Sequence, residues 1–335
     1  MGSRTMKAVQ LSKISDGSPP IFTSVVVPIP NTTPGYALVQ VHYSSIQPSD
    51  RMNVKGYFPY TSYPRIPGRD YAGIVVEVGD DSDKSKSWIG KSVFGTSGSS
   101  LSFTMDGTNA QYFLIPQDAL VEKPESMSLF QASTVGVSFT TALLCLQRAS
   151  VGESDVVLVL GASGAVGTAV TQMARAIGCK KVFTAARRPD SDPDVILGSG
   201  SPASVLGERI PSLTGGRGVD VVIDTVGDLD LMSAAMEQLA QDGRYTWISA
   251  PKGGASTTLT FDVLRIYRKG LSLFGCNTIA HNIQDTATQL RSLIKWIDGG
   301  QLQAQNEADF RKVKLDDVIE DGYGKLGKVV IELPR

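Results

Sequence analysis

The stretch "VVLVLGASGAVGTAV", residues 156–170, places Gly161, Gly164 and Gly167 between an apolar run and an amphipathic one. The apolar run predicts a buried strand, and the continuation to residue 178 predicts a helix. Gly164 lets a bound pyrophosphate approach the backbone, and Gly167 permits close packing of the helix on the strand. The N–H groups at the beginning of such a helix favour an anion. The stretch therefore predicts a dinucleotide-binding turn, with a tight turn that binds no ligand as the alternative.

The glycine pattern departs from strict G-x-G-x-x-G, because Ala162 stands where the first glycine would be. Arg187 and Arg188 follow the next predicted strand, and no acidic residue comes before Asp190. An acidic residue at this point binds the ribose 2′-OH of NAD, whereas an arginine can bind the 2′-phosphate of NADP. NADPH is the predicted cofactor, with a solvated basic turn as the alternative. The predicted contacts around it are Ser163, Gly164, Ala165, Val166, Gly167, Ala186, Arg187 and Arg188.

Strands and helices alternate from residue 128 onward, and the strands are apolar on both faces. This pattern predicts a doubly wound parallel sheet and an α/β fold. The segments are a helical region over 128–150, strands at 155–161, 180–186, 219–227, 244–250 and 271–277, and helices at 165–178, 204–215, 230–243 and 282–298.

The first part of the chain is β-rich, with short runs such as "YALVQVHYSSI", residues 36–46, that alternate apolar and polar side chains. The last run, residues 327–335, predicts a strand with no helix after it, which returns to this first part. We therefore expect residues 1–127 and 279–335 to form one domain and residues 128–278 to form a dinucleotide-binding domain.

Composition excludes several classes of partner. The 335 residues carry a formal net charge of −1 and are 41% hydrophobic, which gives no reason to expect nucleic acid or an anionic membrane as partner. No apolar run approaches the roughly 18 residues that a membrane span requires. The three cysteines, Cys145, Cys179 and Cys276, are odd in number and far apart, which indicates a reducing, cytoplasmic environment.

The order of the two parts resembles that of the medium-chain dehydrogenase/reductase superfamily. The resemblance covers almost the whole chain and implies a GroES-like β-rich catalytic domain followed by a Rossmann cofactor domain. Its landmarks are "PRIPGRDYAGIVVEVG" (64–79), "GKSVFG" (90–95), "LGASGAVG" (160–167), "GVDVVIDTVG" (218–227) and "GKVV" (327–330).

The resemblance also indicates a zinc-free branch. Zinc-dependent members carry a cysteine near the position of Gln47 and a Gly-His-Glu where this chain has Gly68, Arg69 and Asp70. No cysteine precedes residue 145, and neither His42 nor His281 has a cysteine at ligand spacing. We therefore expect no metal and a similarity to quinone oxidoreductases, enone reductases and enoyl-thioester reductases.

The activity implied is hydride transfer from NADPH to the β-carbon of an α,β-unsaturated carbonyl, an enone or an enoyl thioester. Three alternatives remain: an NADPH:quinone oxidoreductase, an enoyl reductase that serves a polyketide pathway in trans, and a non-catalytic NADPH-binding protein. The resemblance further implies a homodimer, with "LSLFGCN", residues 271–277, extending one sheet into the other.

The candidate catalytic segment is "QPSDRMNVKGYFPY", residues 47–60. Relatives usually read N-P-x-D and then G-x-Y, whereas here Gln47 replaces the asparagine and Tyr57 stands one residue early. Tyr57, Tyr60 or Tyr63 would supply a proton or hold the substrate carbonyl, unless water supplies the proton and the tyrosines only line the pocket.

Further cofactor contacts are expected beyond the ends of the parallel strands, at Ser249 to Lys252 and Phe274 to Asn277. Asp50 is expected mainly to cap the helix that begins beside it. The complete set of additional cofactor positions is Gln47, Pro48, Ser49, Asp50, Thr141, Val226, Ser249, Ala250, Phe274, Gly275, Cys276, Asn277, Lys325 and Lys328.

Overall fold

A computed structural model of the chain describes residues 4–189, 192–198, 200–251 and 254–334. The chain divides into two compact units. The first comprises the residues up to Val137 and those from Thr278 onward, and the second comprises Ser138–Asn277. In the described part of the chain, no helix combines the length and the apolarity needed to cross a bilayer.

The strands of the described residues, in chain order, are β1 (Thr5–Ser12), β2 (Ile21–Pro28), β3 (Tyr36–Ile46), β4 (Tyr71–Val78), β5 (Ser92–Gly95), β6 (Tyr112–Pro116), β7 (Val121–Glu122), β8 (Val156–Leu160), β9 (Lys181–Ala186), β10 (Val195–Ile196), β11 (Val219–Asp224), β12 (Leu239–Trp247), β13 (Ser272–Gly275), β14 (Arg311–Lys314) and β15 (Val329–Glu332). The α-helices are α1 (Pro48–Val54), α2 (Asp83–Lys86), α3 (Leu129–Ala132), α4 (Gly136–Arg148), α5 (Ala165–Ile177), α6 (Pro202–Thr214), α7 (Leu229–Glu237), α8 (Val263–Lys269) and α9 (Ile283–Asp298). Short 3₁₀ turns cover Gln117–Ala119, Thr278–Ala280, Glu307–Asp309 and Leu315–Asp317, and a π-helical turn covers Val318–Tyr323.

The first unit is built on a mixed sheet with the order β14-β15-β3-β4-β5-β7, and β6 also pairs with β3. β3 has the bounds that its apolar alternation predicts, and Ala37, Val39 and Val41 on it are fully buried. β15 pairs antiparallel with β3, which confirms that the last strand returns to the β-rich part.

The second unit contains a parallel sheet with the order β10-β9-β8-β11-β12-β13 among the described residues. All five residues of β8 are buried, as expected for a central strand covered on both faces. α5 packs on β8 and β9, and α7 packs on β11 and β12. The predicted α/β fold class, with a GroES-like part and a Rossmann-type parallel sheet, is confirmed.

Two predicted helical regions differ from the structure. The helix predicted over 230–243 ends at Glu237, because Leu239 and Ala240 are buried as the first residues of β12. The helical region predicted over 128–150 is two helices, α3 and α4. Because α3 packs on β3, β4 and β5, the first unit extends to Val137, beyond the predicted boundary at 127.

Candidate active site

The glycine turn of the second unit has a geometry suited to a phosphate group. Gly161 has φ +75°, in the left-handed region that favours glycine. A Cβ added at Gly167 would stand 2.2 Å from the carbonyl oxygen of Gly161, so no larger residue fits there. Gly161 thus occupies the tight turn, although the strict motif would place its first glycine at Ala162.

The N-terminus of α5 carries no side-chain cap, since Gly164 is its N-cap residue. Its first N–H groups are therefore left for a ligand, and the helix dipole adds partial positive charge. Ser163 and Gly164 are exposed, and Ala165 and Val166 are half-buried. A helix N-terminus without a side-chain cap fits the pyrophosphate of a dinucleotide.

Several other predicted cofactor residues lie at the carboxyl ends of strands of the parallel sheet. β9 ends at Ala186, with Arg187 and Arg188 exposed directly after it. Ser249 and Ala250 follow β12, and Cys276 follows β13, where its N–H donates to the Trp247 carbonyl oxygen at 2.9 Å. Phe274 and Gly275 end β13, and Asn277 follows Cys276. β9 lies on one side of β8 in the sheet, and β12 and β13 lie on the other side beyond β11.

The turn after β11 depends on Asp224, which sequence reasoning did not single out. Its Oδ1 accepts from the N–H groups of Val226 and Gly227 at 2.7 and 3.1 Å, and Tyr245 donates to its Oδ2 at 3.0 Å. Burial raises the pKa of Asp224. The signal in the sequence was an acidic residue at the end of an apolar strand. A carboxylate that is buried there requires hydrogen-bond donors around it.

Four other predicted cofactor positions are either buried or close to a carboxylate of the protein itself. Thr141 is buried on α4, and Cys276 is buried beside Cys145. The hydrogen bond between the two thiols, together with burial, raises the pKa of Cys145. Lys325 pairs with Asp321, and Lys328 lies 3.8 Å from a carboxylate oxygen of Asp309. Lys252 lies outside the described residues.

In the first unit, Gln47 is buried at the beginning of α1. Its Nε2 donates to Asp70 Oδ2 at 2.7 Å and to Ser45 Oγ at 3.2 Å. Asp70 Oδ1 accepts from the Val137 N–H at 2.9 Å. Burial is the main cause that raises the pKa of Asp70 to about 7. The amide N–H groups of Gln47 are thus both engaged, and its carbonyl oxygen is the atom that it offers to a ligand.

Arg69 and Asp50 form a buried ion pair, with 3.2 Å between Arg69 Nε and Asp50 Oδ1. Arg69 is 1% exposed and Asp50 0%. Asp50 Oδ2 also accepts from the Gln47 N–H at 2.8 Å, which is the capping role that the sequence predicts. Arg69 Nη2 donates to Ser49 Oγ, and the guanidinium lies 5.7 Å from the centre of the Phe103 ring.

The sequence did not identify Arg69 as the partner of Asp50. The signal was the charged pair Arg69-Asp70 within the apolar landmark 64–79, since a charge inside a buried segment needs a partner.

At Gln47, Arg69 and Asp70 the resemblance leads us to expect no zinc, and the chemistry of these side chains does not suit zinc. Gln47, Arg69 and Asp70 supply an amide, a cation and one carboxylate. A guanidinium has no acceptor to offer a metal, and its charge repels one. Within the described ranges, no group of three or more His, Cys, Asp or Glu side chains is placed to hold a metal ion.

The three candidate tyrosines have different surroundings. Tyr57 is 65% exposed after the turn at Gly56. Tyr60 is 43% exposed and packs on Phe103, with 5.2 Å between ring centres. Burial raises the pKa of Tyr60, and the Arg69 charge opposes this shift. Tyr63 lies under Lys13, whose Nζ is 4.7 Å from its ring centre.

A glycine turn before an uncapped helix on a parallel sheet, and a GroES-like β-rich unit with a buried polar cluster, define an oxidoreductase of the nicotinamide-dependent class. Family models for an alcohol dehydrogenase GroES-like domain and a zinc-binding dehydrogenase match residues 33–125 and 165–296. Solved structures of this fold hold nicotinamide cofactors, NADP in one protein and NADH in another.

The chain belongs to the medium-chain dehydrogenase/reductase superfamily, among its quinone oxidoreductase-like oxidoreductases. It is 43% identical to a zinc-type alcohol dehydrogenase-like protein of Schizosaccharomyces pombe, over 90% of this chain and 87% of that protein. It is 32% identical to the quinone oxidoreductase of Sus scrofa, over 72% and 73% of the two chains. An alcohol dehydrogenase superfamily protein from Novosphingobium aromaticivorans has the same fold, with a TM-score of 0.80 and 25% identity over 98% of this chain and 100% of that one.

Proposed function

We propose that the protein is an NADPH-dependent reductase that needs no metal and transfers hydride to the β-carbon of an α,β-unsaturated carbonyl. The observation that carries the proposal is the buried cluster of Gln47, Arg69 and Asp70, whose donor set does not suit zinc. Without a metal to polarise an alcohol, reduction of an activated C=C bond is the chemistry that suits this family. The bound cofactor would supply the hydride.

The chain's own residues hold the cofactor in this proposal. The N–H groups at the beginning of α5 bind the pyrophosphate, and Arg187 with Arg188 binds the 2′-phosphate. Gln47 uses both N–H groups of its side chain within the first unit, so a further hydrogen bond of this side chain would be accepted by its carbonyl oxygen. Tyr57, Tyr60 or Tyr63, or water, supplies the proton that the α-carbon receives.

The cofactor preference is tested at Arg187. We expect Arg187→Ala to raise the Kd of NADPH about 10- to 100-fold, since a charge-assisted hydrogen bond contributes roughly 1.5–3 kcal/mol. The Kd of NADH should change little, because NADH has no 2′-phosphate. Arg175→Ala, at the far end of α5, is the matched control. An equal loss for both cofactors, or none for either, would remove Arg187 from the 2′-phosphate site.

A quinone is the second candidate acceptor, and the similarity to quinone oxidoreductases favours it. A quinone accepts hydride without a precisely placed proton donor, so the tyrosines would then only line the pocket. Turnover distinguishes the two candidates: NADPH oxidation is followed without oxygen in the presence of an enone, an enoyl thioester or a quinone. We expect the enone or thioester to be saturated. NADPH oxidation with the quinone alone would favour the second candidate, and binding without turnover would favour a non-catalytic NADPH-binding protein.

Independence from zinc has its own test. We expect full activity after dialysis against 1,10-phenanthroline and less than a stoichiometric amount of zinc by elemental analysis. A loss of activity that added zinc restores would contradict the metal-free proposal.

We also propose a cytoplasmic homodimer in which β13 pairs with β13 of a second copy. β13 is the last strand in the order of the parallel sheet, and an edge strand presents unpaired backbone groups. The free cysteines at 145, 179 and 276 support a reducing compartment. Light scattering should give twice the mass of one chain. A single species with the mass of one chain at working concentration would contradict the dimer.

A further inference from the structure

Cys145 and Cys276 are two cysteines that the fold of the second unit brings into contact. Cys145 lies on α4 and is 0% exposed, and Cys276 follows β13 and is 8% exposed. The Cys145 thiol donates a hydrogen bond to the Cys276 sulfur. Because the two residues are far apart in the sequence, packing rather than local chain geometry sets this contact. Two sulfur atoms in hydrogen-bond contact need only a short approach to reach the roughly 2.05 Å of a disulfide bond.

The backbone around Cys276 allows that approach. The Cys276 N–H donates to the Trp247 carbonyl oxygen at 2.9 Å, and β13 pairs with β12 on one side. β13 is the last strand of the sheet order in the described part of the chain, so its other side carries no strand. Cys145 lies inside a helix of 13 residues. We therefore expect the segment that carries Cys276 to take up the small shift that bond formation requires.

The two thiols are not equivalent. The hydrogen bond from Cys145 lowers the pKa of Cys276, and the charge of Arg148 acts in the same direction, although burial opposes both. The same hydrogen bond, together with burial, raises the pKa of Cys145. A thiolate, and not a thiol, attacks a disulfide. Cys276 is also the more exposed of the two, so it reacts first with an oxidant, and Cys145 is placed to react with it second.

Cys179 provides the comparison within the same unit. It follows α5, is half-buried and is a free thiol like the other two. Burial and the charge of Asp155 raise the pKa of Cys179. In the described ranges, no hydrogen bond joins its sulfur to another cysteine. It therefore serves as the matched control for the pair.

We propose that Cys145 and Cys276 form a reversible disulfide when the protein meets a low-molecular-weight disulfide. Cys276 loses its proton, and its thiolate attacks one sulfur of the oxidant. A mixed disulfide forms, and the first small thiolate leaves and takes up a proton. Cys145 then loses its proton and attacks the Cys276 sulfur, which releases the second small thiolate. Two protein thiols are oxidised by two electrons, and the S–S bond of the oxidant is reduced to two thiols. These thiols take no part in the proposed hydride transfer.

The disulfide would link α4 to the end of the edge strand of the sheet. A cross-link between residues far apart in the sequence restricts the unfolded chain and stabilises the folded one. We therefore expect the Tm of the oxidised protein to be higher than that of the reduced protein. In a reducing compartment the pair remains as thiols, and an excess of small disulfides is the condition that oxidises it. An oxidised protein with a lower Tm would contradict a pair that the fold has placed for this bond.

Mass spectrometry tests the disulfide directly. The full chain is incubated with bis(2-hydroxyethyl) disulfide, its remaining thiols are blocked with N-ethylmaleimide in urea, and the protein is digested. We expect a cross-linked pair of peptides that contain Cys145 and Cys276. The count of free thiols should fall from three to one, and dithiothreitol should restore all three. A mercaptoethanol adduct that persists on Cys276 without the cross-link, or two unmodified thiols at 145 and 276 while Cys179 reacts, would overturn the proposal.

Three cysteine variants test the order of the two steps. In Cys145→Ala, the adduct on Cys276 should persist, because no second thiol displaces it. In Cys276→Ser, Cys145 should remain unmodified, because it is buried. Cys179→Ala should form the same disulfide as the parent protein. A rapid adduct on Cys145 in Cys276→Ser, or loss of the cross-link in Cys179→Ala, would contradict the assignment.

Discussion

Arg69 and Asp50 are charged side chains that the fold removes almost completely from water. The desolvation of such a pair offsets much of its mutual attraction, and an apolar pair of similar volume would often be as stable. A requirement for a fixed charge at this position explains the pair better than stability does.

Asp70 makes stability depend on pH. Burial raises the pKa of Asp70 from 3.8 to about 7 in the folded protein. Between about pH 4 and 7, the folded protein therefore holds a proton that the unfolded chain has already released. The stability associated with this proton is complete below about pH 4 and is lost as the pH rises to 7.

We therefore expect Asp70→Asn to be more stable relative to the parent at pH 8 than at pH 5, by up to about 3 kcal/mol. Urea unfolding of both proteins at the two pH values measures the difference. Burial also raises the pKa values of Asp50 and Asp224, but these carboxyls are present in both proteins. A stability difference that does not change with pH would contradict the buried titration of Asp70.

The proton donor is predicted at Tyr57. We expect Tyr57→Phe to lower kcat with an enone about 100-fold, because general acid catalysis contributes at least that factor. Quinone reduction should be nearly unchanged. Tyr60→Phe, on the aromatic cluster near Arg69, should lower kcat less, and the exposed Tyr267→Phe in the other unit is the control. Equal rates in Tyr57→Phe and the parent would reassign the donor to Tyr60, Tyr63 or water.

At the scale of elements, periodicity predicted much of the fold. β3 and α5 carry patterns strong enough to set their bounds almost to the residue. The segment 230–243 was predicted wrongly after Glu237, because a few buried apolar residues fit a helix and a strand equally well. Packing on the neighbouring strand β11 decides between the two.

The site was only partly predictable for a related reason. The glycine turn lies within one short segment, so its spacing identifies it. The pairing of Asp50 with Arg69 joins residues 19 positions apart, and no local pattern encodes which buried charges meet. The resemblance drew attention to Gly68, Arg69 and Asp70 as positions that lack zinc ligands, but not to what these side chains do instead.

The turn before α5 can be tested with a pair of glycine substitutions. We expect Gly167→Ala to abolish measurable NADPH binding and to lower stability, because its Cβ would stand 2.2 Å from the Gly161 carbonyl oxygen. Gly207→Ala, in the exposed part of α6 with nothing within 4 Å of an added Cβ, should be stabilised by about 0.5–1 kcal/mol. Isothermal titration calorimetry measures NADPH binding, and thermal unfolding measures the stability of the two variants. Normal NADPH affinity in Gly167→Ala would contradict the proposed pyrophosphate site.

At the scale of the whole molecule, the chain combines a Rossmann-type unit, whose turn suits a dinucleotide, with a β-rich unit that carries the buried Arg69–Asp50 ion pair. The family determines the type of cofactor, and the residues at the former ligand positions determine what the acceptor can be. A metal-dependent relative oxidises or forms an alcohol at the carbonyl carbon. The proposed function is instead reduction at the β-carbon.

The position of the transferred hydrogen tests this claim most directly. The protein is given NADPH deuterated at C4 of the nicotinamide together with an enone, without oxygen, and the product is analysed by mass spectrometry and NMR. We expect a saturated ketone with one deuterium on the β-carbon and a solvent hydrogen on the α-carbon. Deuterium on the carbonyl carbon of an alcohol product would contradict it.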